Sequence, residues 1–164
     1  MFLIILAVVL VGAAAHVALR GRTRERVGEL VLLWTLVGYC GIPMLVVAGM
    51  LLVHPHETAE VFGFPPDNPI AVFFGWAYLG MALSAVVSLR YRGPYLVAPA
   101  LTWATFFLGA TFVHLGEGHG GGTHAGALAI VATHGLISLI LVAALVASGA
   151  WRPAPAIGRS GPVE

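Results

Sequence analysis

The sequence predicts an all-α integral membrane bundle of five transmembrane helices, with the N-terminus outside and the C-terminus inside. Three observations lead there. Of the 164 residues, 59% are hydrophobic and 9% charged, and the mean hydropathy is +0.95, too little polar surface for a water-soluble globule of this size. Five apolar runs each approach the roughly 20 residues that cross about 30 Å of hydrocarbon. All eight arginines, Arg20, Arg22, Arg24, Arg26, Arg90, Arg92, Arg152 and Arg159, fall in the first and third connections and the C-terminal tail, and there is no lysine. Basic residues are retained on the cytoplasmic side, so this pattern sets the direction of every span.

Span one, Phe2 to Leu19, lacks a positive n-region and is followed at once by four arginines. It reads as an uncleaved reverse anchor, despite the Ala13-Ala14-Ala15 stretch. Span two, Leu30 to Val53, carries Gly41 and Pro43 near its middle. A proline there removes a helical hydrogen bond and predicts a kink. The outer connection HPHETAEVFGFPPDNP allows a short turn over Glu57 to Phe62 before Pro65, Pro66 and Pro69 break regular structure. Span three, Ile70 to Leu89, returns inward to a tight turn at Arg90, Tyr91 and Arg92, closed by Gly93 and Pro94. Span four, Tyr95 to Leu115, contains Pro99, and span five runs from Ala125 to about Ala147, with Trp151 and Arg152 as interfacial anchors. Gly75, Gly80, Ser84 and Ser88 in span three, with Gly126, Ala132 and Gly135 in span five, favour close helix approach. Residues 1–151 thus form one bundle, and the proline-rich stretch 152–164 is expected to be a disordered cytoplasmic tail. The organisation is that of the bacterial cytoplasmic membrane. A net charge of +1 and the absence of a soluble domain argue against nucleic acid as a partner, and Cys40, the only cysteine, cannot form an intramolecular disulfide.

The face opposite the arginines gathers His54, His56, Glu57, Glu60, Asp67, Glu117, His119 and His124, with His114 at its border. Imidazole is the commonest side-chain ligand for transition metals, and carboxylates complete such spheres. His54, His56, His114, Glu117, His119 and His124 are therefore the candidate ligands for copper or zinc. None of their spacings is a recognised metal signature, and a proton-sensing cluster or a solvated loop draws on the same residues. Met50, one turn before His54, would suit copper.

His134 lies about ten residues into span five, roughly 15 Å along it. An ionisable group at that depth is a functional candidate by default. Its plain alternative is an imidazole bonded to Thr102, Thr105 or Ser84. A bis-histidine haem needs matching depths on facing helices, which His16 and His134 do not offer, and His114 is expected too near the boundary to pair with His134. Haem therefore ranks below a metal ion or a quinone-like ligand, and of these the metal ion comes first. Trp76 and Trp103, with neighbouring phenylalanines, are candidates for an aromatic cleft that, with His134, would hold such a cofactor, although core or lipid-facing packing accounts for them more simply. Paired carboxylates at Glu57 and Glu60 and the GEGHGGGTH segment complete neither a catalytic nor a phosphate-binding motif.

The stretch from GFPPDNPIAVFFGWAYLGMAL through RYRGPYLVAPALTWATFFLGATFVHLGE resembles small bacterial membrane proteins grouped loosely with the DoxX-like families. The features that carry the resemblance are Gly63, Phe64, Pro65 and Pro66, then Gly75 and Gly80, then Arg92 and Gly93, then Gly109 and His114. It covers about residues 57 to 117 and implies a bundle of four or more spans and, for some members, a link to quinone or thiol redox systems. His114 carries over as a structural or ligand-binding position. The chain departs from that pattern in having Phe73 and Phe74 where a polar or acidic residue tends to stand, and in lacking a cysteine pair.

With no complete catalytic constellation, the reading that asks least is an accessory or binding protein. Its outer histidines would hold a metal ion or handle protons beside other membrane subunits or a second copy of the chain. The alternatives are a quinone- or haem-linked oxidoreductase centred on His134, and a small transporter subunit moving metal or protons past His134 and Pro43.

Overall fold

The computed structural model describes residues 2–61, 69–116 and 124–152. Among them there is no strand. The chain is an all-α bundle with five helices long and apolar enough to cross a membrane: Leu3–Arg20, Arg24–Val53, Ile70–Val87, Gly93–Leu115 and Leu128–Ser148. It is a multi-pass membrane protein in which the five expected spans are all present.

Helix α1 (Phe2–Arg20) turns after three residues into α2 (Arg24–Leu33). Arg24 and Arg26, expected in a connection, are helical. The cause is Thr23, whose extended backbone and side-chain oxygen cap α2 by accepting from the Arg26 amide at 3.2 Å. After α2 the helix widens into a π-helical stretch, Trp34–Gly41, and continues as α3 (Ile42–Val53). Pro43 explains the widening: it has no amide hydrogen to offer the Tyr39 carbonyl, and its ring crowds that carbonyl. The Ile42 amide accordingly donates to Val37, five residues back.

A short helix α4 (Pro55–Val61) follows. Ala59 on it packs with Leu51 and Ala71 in a small apolar cluster, and the Thr58 hydroxyl donates to the Met50 carbonyl at 3.1 Å. Helix α5 (Ile70–Val87) then runs back along α3. A turn with Gly93 at φ +62° leads through a 3-10 turn, Gly93–Leu96, into α6 (Val97–Gly116). That φ is one that non-glycine residues rarely adopt. Pro99 falls in the first turn of α6, where a missing amide hydrogen is harmless. Helix α7 (His124–Ser148) packs against α6 and α2. The expected tail, from residue 153 onward, lies outside the described residues.

In lipid the helices gain little from hydrophobic burial against one another, so close packing and polar contacts hold the bundle. Gly28 lies against the Ala147 and Ser148 backbone, and Gly75 against Leu51 and Leu52, whereas Gly80 faces open space. The central core is Trp103, Tyr39, Phe107, Leu36, Ile137 and Leu141, all buried. Trp103 Nε1 donates to the Met81 carbonyl at 3.2 Å, tying α6 to α5.

The two ends of the bundle differ. Glu29 meets Arg26 at 2.7 Å and Arg92 at 3.5 Å, so the α1–α2 turn, the α5–α6 turn and the end of α7 beside Gly28 share one end. The α3–α4 junction, the end of α6 and the start of α7 share the other. Among the described residues, the arginines therefore lie at the opposite end from His54, His56 and His114.

Candidate functional site

His134 stands on α7, anchored there by its neighbour one turn on. Ser138 donates to the His134 carbonyl at 3.0 Å and to the Ala104 carbonyl of α6 at 3.1 Å. With Gly135 against Thr111, these contacts fix the antiparallel register of α6 and α7. In that register His114 and His134 meet, their ring centroids 5.7 Å apart at 36°. This corrects the depth argument from sequence, which kept the two apart. The first residues of α7 run past Gly116, the end of α6, by roughly two turns, so His134 is level with His114.

Phe107 supports the pair from within, its ring 5.1 Å from that of His134 and 5.7 Å from that of Tyr39. The Tyr39 hydroxyl and His134 Nδ1 are the two buried side-chain polar atoms that have no hydrogen-bond partner among the described residues. A buried polar atom left unpaired costs about 1–3 kcal/mol, and native proteins rarely carry one without a reason. Neither Thr102 nor Thr105 is placed to serve His134, since both are exposed, and Ser84 donates to the Met81 carbonyl instead.

His54 and His56, at the junction of α3 and α4, are exposed on the same end as the pair, as are Glu57 and Glu60. Met50 is also exposed. Glu117, His119 and Asp67 lie outside the described residues, and of His124 only the backbone position, at the start of α7, is described. Among the described residues no three His, Cys, Asp or Glu side chains converge as a metal sphere. The two tryptophans do not share a surface: Trp103 is fully buried in the core and Trp76 is 64% exposed. Trp103 instead stacks with Tyr78 and Phe107.

His16 turns to Trp34, the first residue of the π-helical stretch. Its Nδ1 accepts from Trp34 Nε1 at 3.2 Å, and Gly12 makes room for the indole.

Tyr39 is the residue beside the pair that was missed from sequence; Phe107 is among the phenylalanines named with Trp103 as candidates for an aromatic cleft. Pro43 is the signal that could have pointed to Tyr39, because the carbonyl that a proline deprives is four residues back.

No curated protein and no solved structure matches the chain. A family model described as a family of unknown function, DUF6790, matches residues 1–154. That match runs through all five spans and both helices of the histidine pair, and the chain belongs to this DUF6790 family.

Proposed function

We propose that this protein is a membrane-embedded binding subunit that holds a transition-metal ion, copper or zinc, at the histidine end of its bundle. The observation that carries the reading is the His114–His134 pair, at 5.7 Å between rings, with His134 Nδ1 buried and lacking a hydrogen-bond partner among the described residues. Two imidazoles whose nitrogens bind one ion at about 2 Å hold their rings at a comparable separation. A nitrogen lone pair without a donor is the atom such an ion would take, and imidazole suits both metals. Further ligands are proposed among His54 and His56, exposed at that end, His124, at the start of α7, and Glu117 and His119. The arginine-rich end then faces the cytoplasm and the histidine end the exterior of a bacterial inner membrane. The metal is presented to a neighbouring membrane complex. The DoxX-like resemblance of residues 57 to 117 adds a redox setting to this proposal.

Elemental analysis of protein purified in detergent, without chelators, tests the reading. About one copper or zinc per chain is expected. His114→Ala and His134→Ala should each lose it, and His54→Ala with His56→Ala should weaken retention without abolishing it. Metal content that persists in both pair variants would move the site to the exposed histidines and end the proposal for the pair.

A further inference from the structure

At the opposite end, Leu19, Arg20, Arg22 and Arg26 line a cleft of about 450 Å³. It forms where α1 stops and α2 starts. The Gly21 amide donates to the Val17 carbonyl at 2.7 Å, and Thr23 caps α2, so a turn of three residues holds the arginines around one opening. Arg26 is paired with Glu29. Neither Arg20 nor Arg22 has an ion pair among the described residues. This end carries seven described arginines against Glu25 and Glu29, so its excess of positive charge is large.

A second observation comes from α1. Ile4, Val8, Val11, Ala15 and Leu19 are all exposed and follow one another at three- or four-residue steps. Such spacing puts them in a single stripe on one face of the helix. The stripe ends at the cleft, where Leu19 is 78% exposed. An apolar track leading into a guanidinium-lined opening is complementary to an amphiphile with an anionic head.

We infer that the cleft binds the phosphate of an anionic phospholipid, with an acyl chain lying along the α1 stripe. Guanidinium groups hold phosphate oxygens through paired, charge-assisted hydrogen bonds. Basic pockets between spans recognise lipid headgroups on the same principle. Inorganic phosphate offers the charge but has no chain to occupy the stripe, so lipid binds more tightly. The site is separate from the histidine pair, and its fate does not depend on the metal reading.

The test is a thermal-shift titration of delipidated full-length protein in neutral detergent with phosphatidylglycerol, phosphatidylcholine or inorganic phosphate. Phosphatidylglycerol should stabilise, and the other two should do so far less. Arg20→Gln combined with Arg22→Gln should weaken phosphatidylglycerol binding about 30-fold. Arg90→Gln combined with Arg152→Gln removes the same charge from the same end outside the cleft, and should leave binding within about threefold, because screening blunts distant charges. The substituted side chains are exposed, and an unchanged melting temperature without lipid verifies the fold of each variant. Equal weakening by both pairs of substitutions would show diffuse attraction to a charged surface and overturn the proposal. So would stabilisation by phosphatidylcholine or inorganic phosphate equal to that by phosphatidylglycerol.

Discussion

Alanine at Gly28 is a stringent probe of how α2 and α7 pack. The added Cβ would stand 2.4 Å from the Ser148 nitrogen and 2.6 Å from the Ala147 carbonyl carbon. Both are backbone atoms, so no side-chain rotation relieves the clash. Restoring an ordinary contact of about 3.5 Å requires the helices to part by about 1 Å. Overpacking of this kind costs about 1–3 kcal/mol, while replacing glycine inside a helix returns about 1 kcal/mol of propensity. The net effect of Gly28→Ala is a loss of about 0–2 kcal/mol. Gly80→Ala is the matched control, because a Cβ there meets no heavy atom within 4 Å. It should be neutral or stabilise by up to about 1 kcal/mol. Unfolding in mixed micelles with increasing dodecyl sulfate, followed by far-ultraviolet circular dichroism, separates the two. If Gly28→Ala proves as stable as Gly80→Ala, the α2–α7 contact is wrong, and with it the placement of the end of α7 beside the α1–α2 turn.

Other parts of the bundle give smaller tests in the same assay. Ser138→Ala removes the hydroxyl that joins α7 to the Ala104 carbonyl, at an expected cost of about 0.6 kcal/mol; no change would remove that contact as a determinant of the α6–α7 register. Trp103→Ala should cost about 3–5 kcal/mol through the cavity it leaves, and Trp103→Phe much less, whereas Trp76→Ala, at a 64% exposed site, should be nearly silent. Glu29→Gln breaks the bridge between Arg26 and Arg92 and should lower stability by about 0.5 kcal/mol, a difference that shrinks as salt is added. Cys40 is fully buried, so a membrane-permeant maleimide should modify it only after unfolding, as read by mass spectrometry.

The five spans are legible in the sequence because apolar length alone decides which segments can cross a bilayer, and the arginines then fix which ends lie together. Other features depend on single contacts that hydropathy averages away. Thr23 starts a helix inside a segment that its arginines mark as a connection. Pro43 marks a disturbance correctly, but the chain absorbs it as a π-helical stretch running Trp34–Gly41. Gly28 shows its importance only once Ser148 is placed beside it, whereas Gly80, equally visible in the sequence, faces open space. The histidine pair belongs to the same class. His114 and His134 are each recognisable as candidates, yet their meeting depends on the α6–α7 register set by Ser138, Ala104, Gly135 and Thr111. The sequence ranks them by depth along separate spans and so assigns them different roles.

The binding role rests on those two rings sharing one ion, and electron paramagnetic resonance of the protein loaded with one equivalent of cupric ion examines that directly. The unaltered chain should show nitrogen couplings from at least two imidazoles, and His114→Ala and His134→Ala one imidazole fewer each. A cupric signal identical in all three proteins would contradict that role.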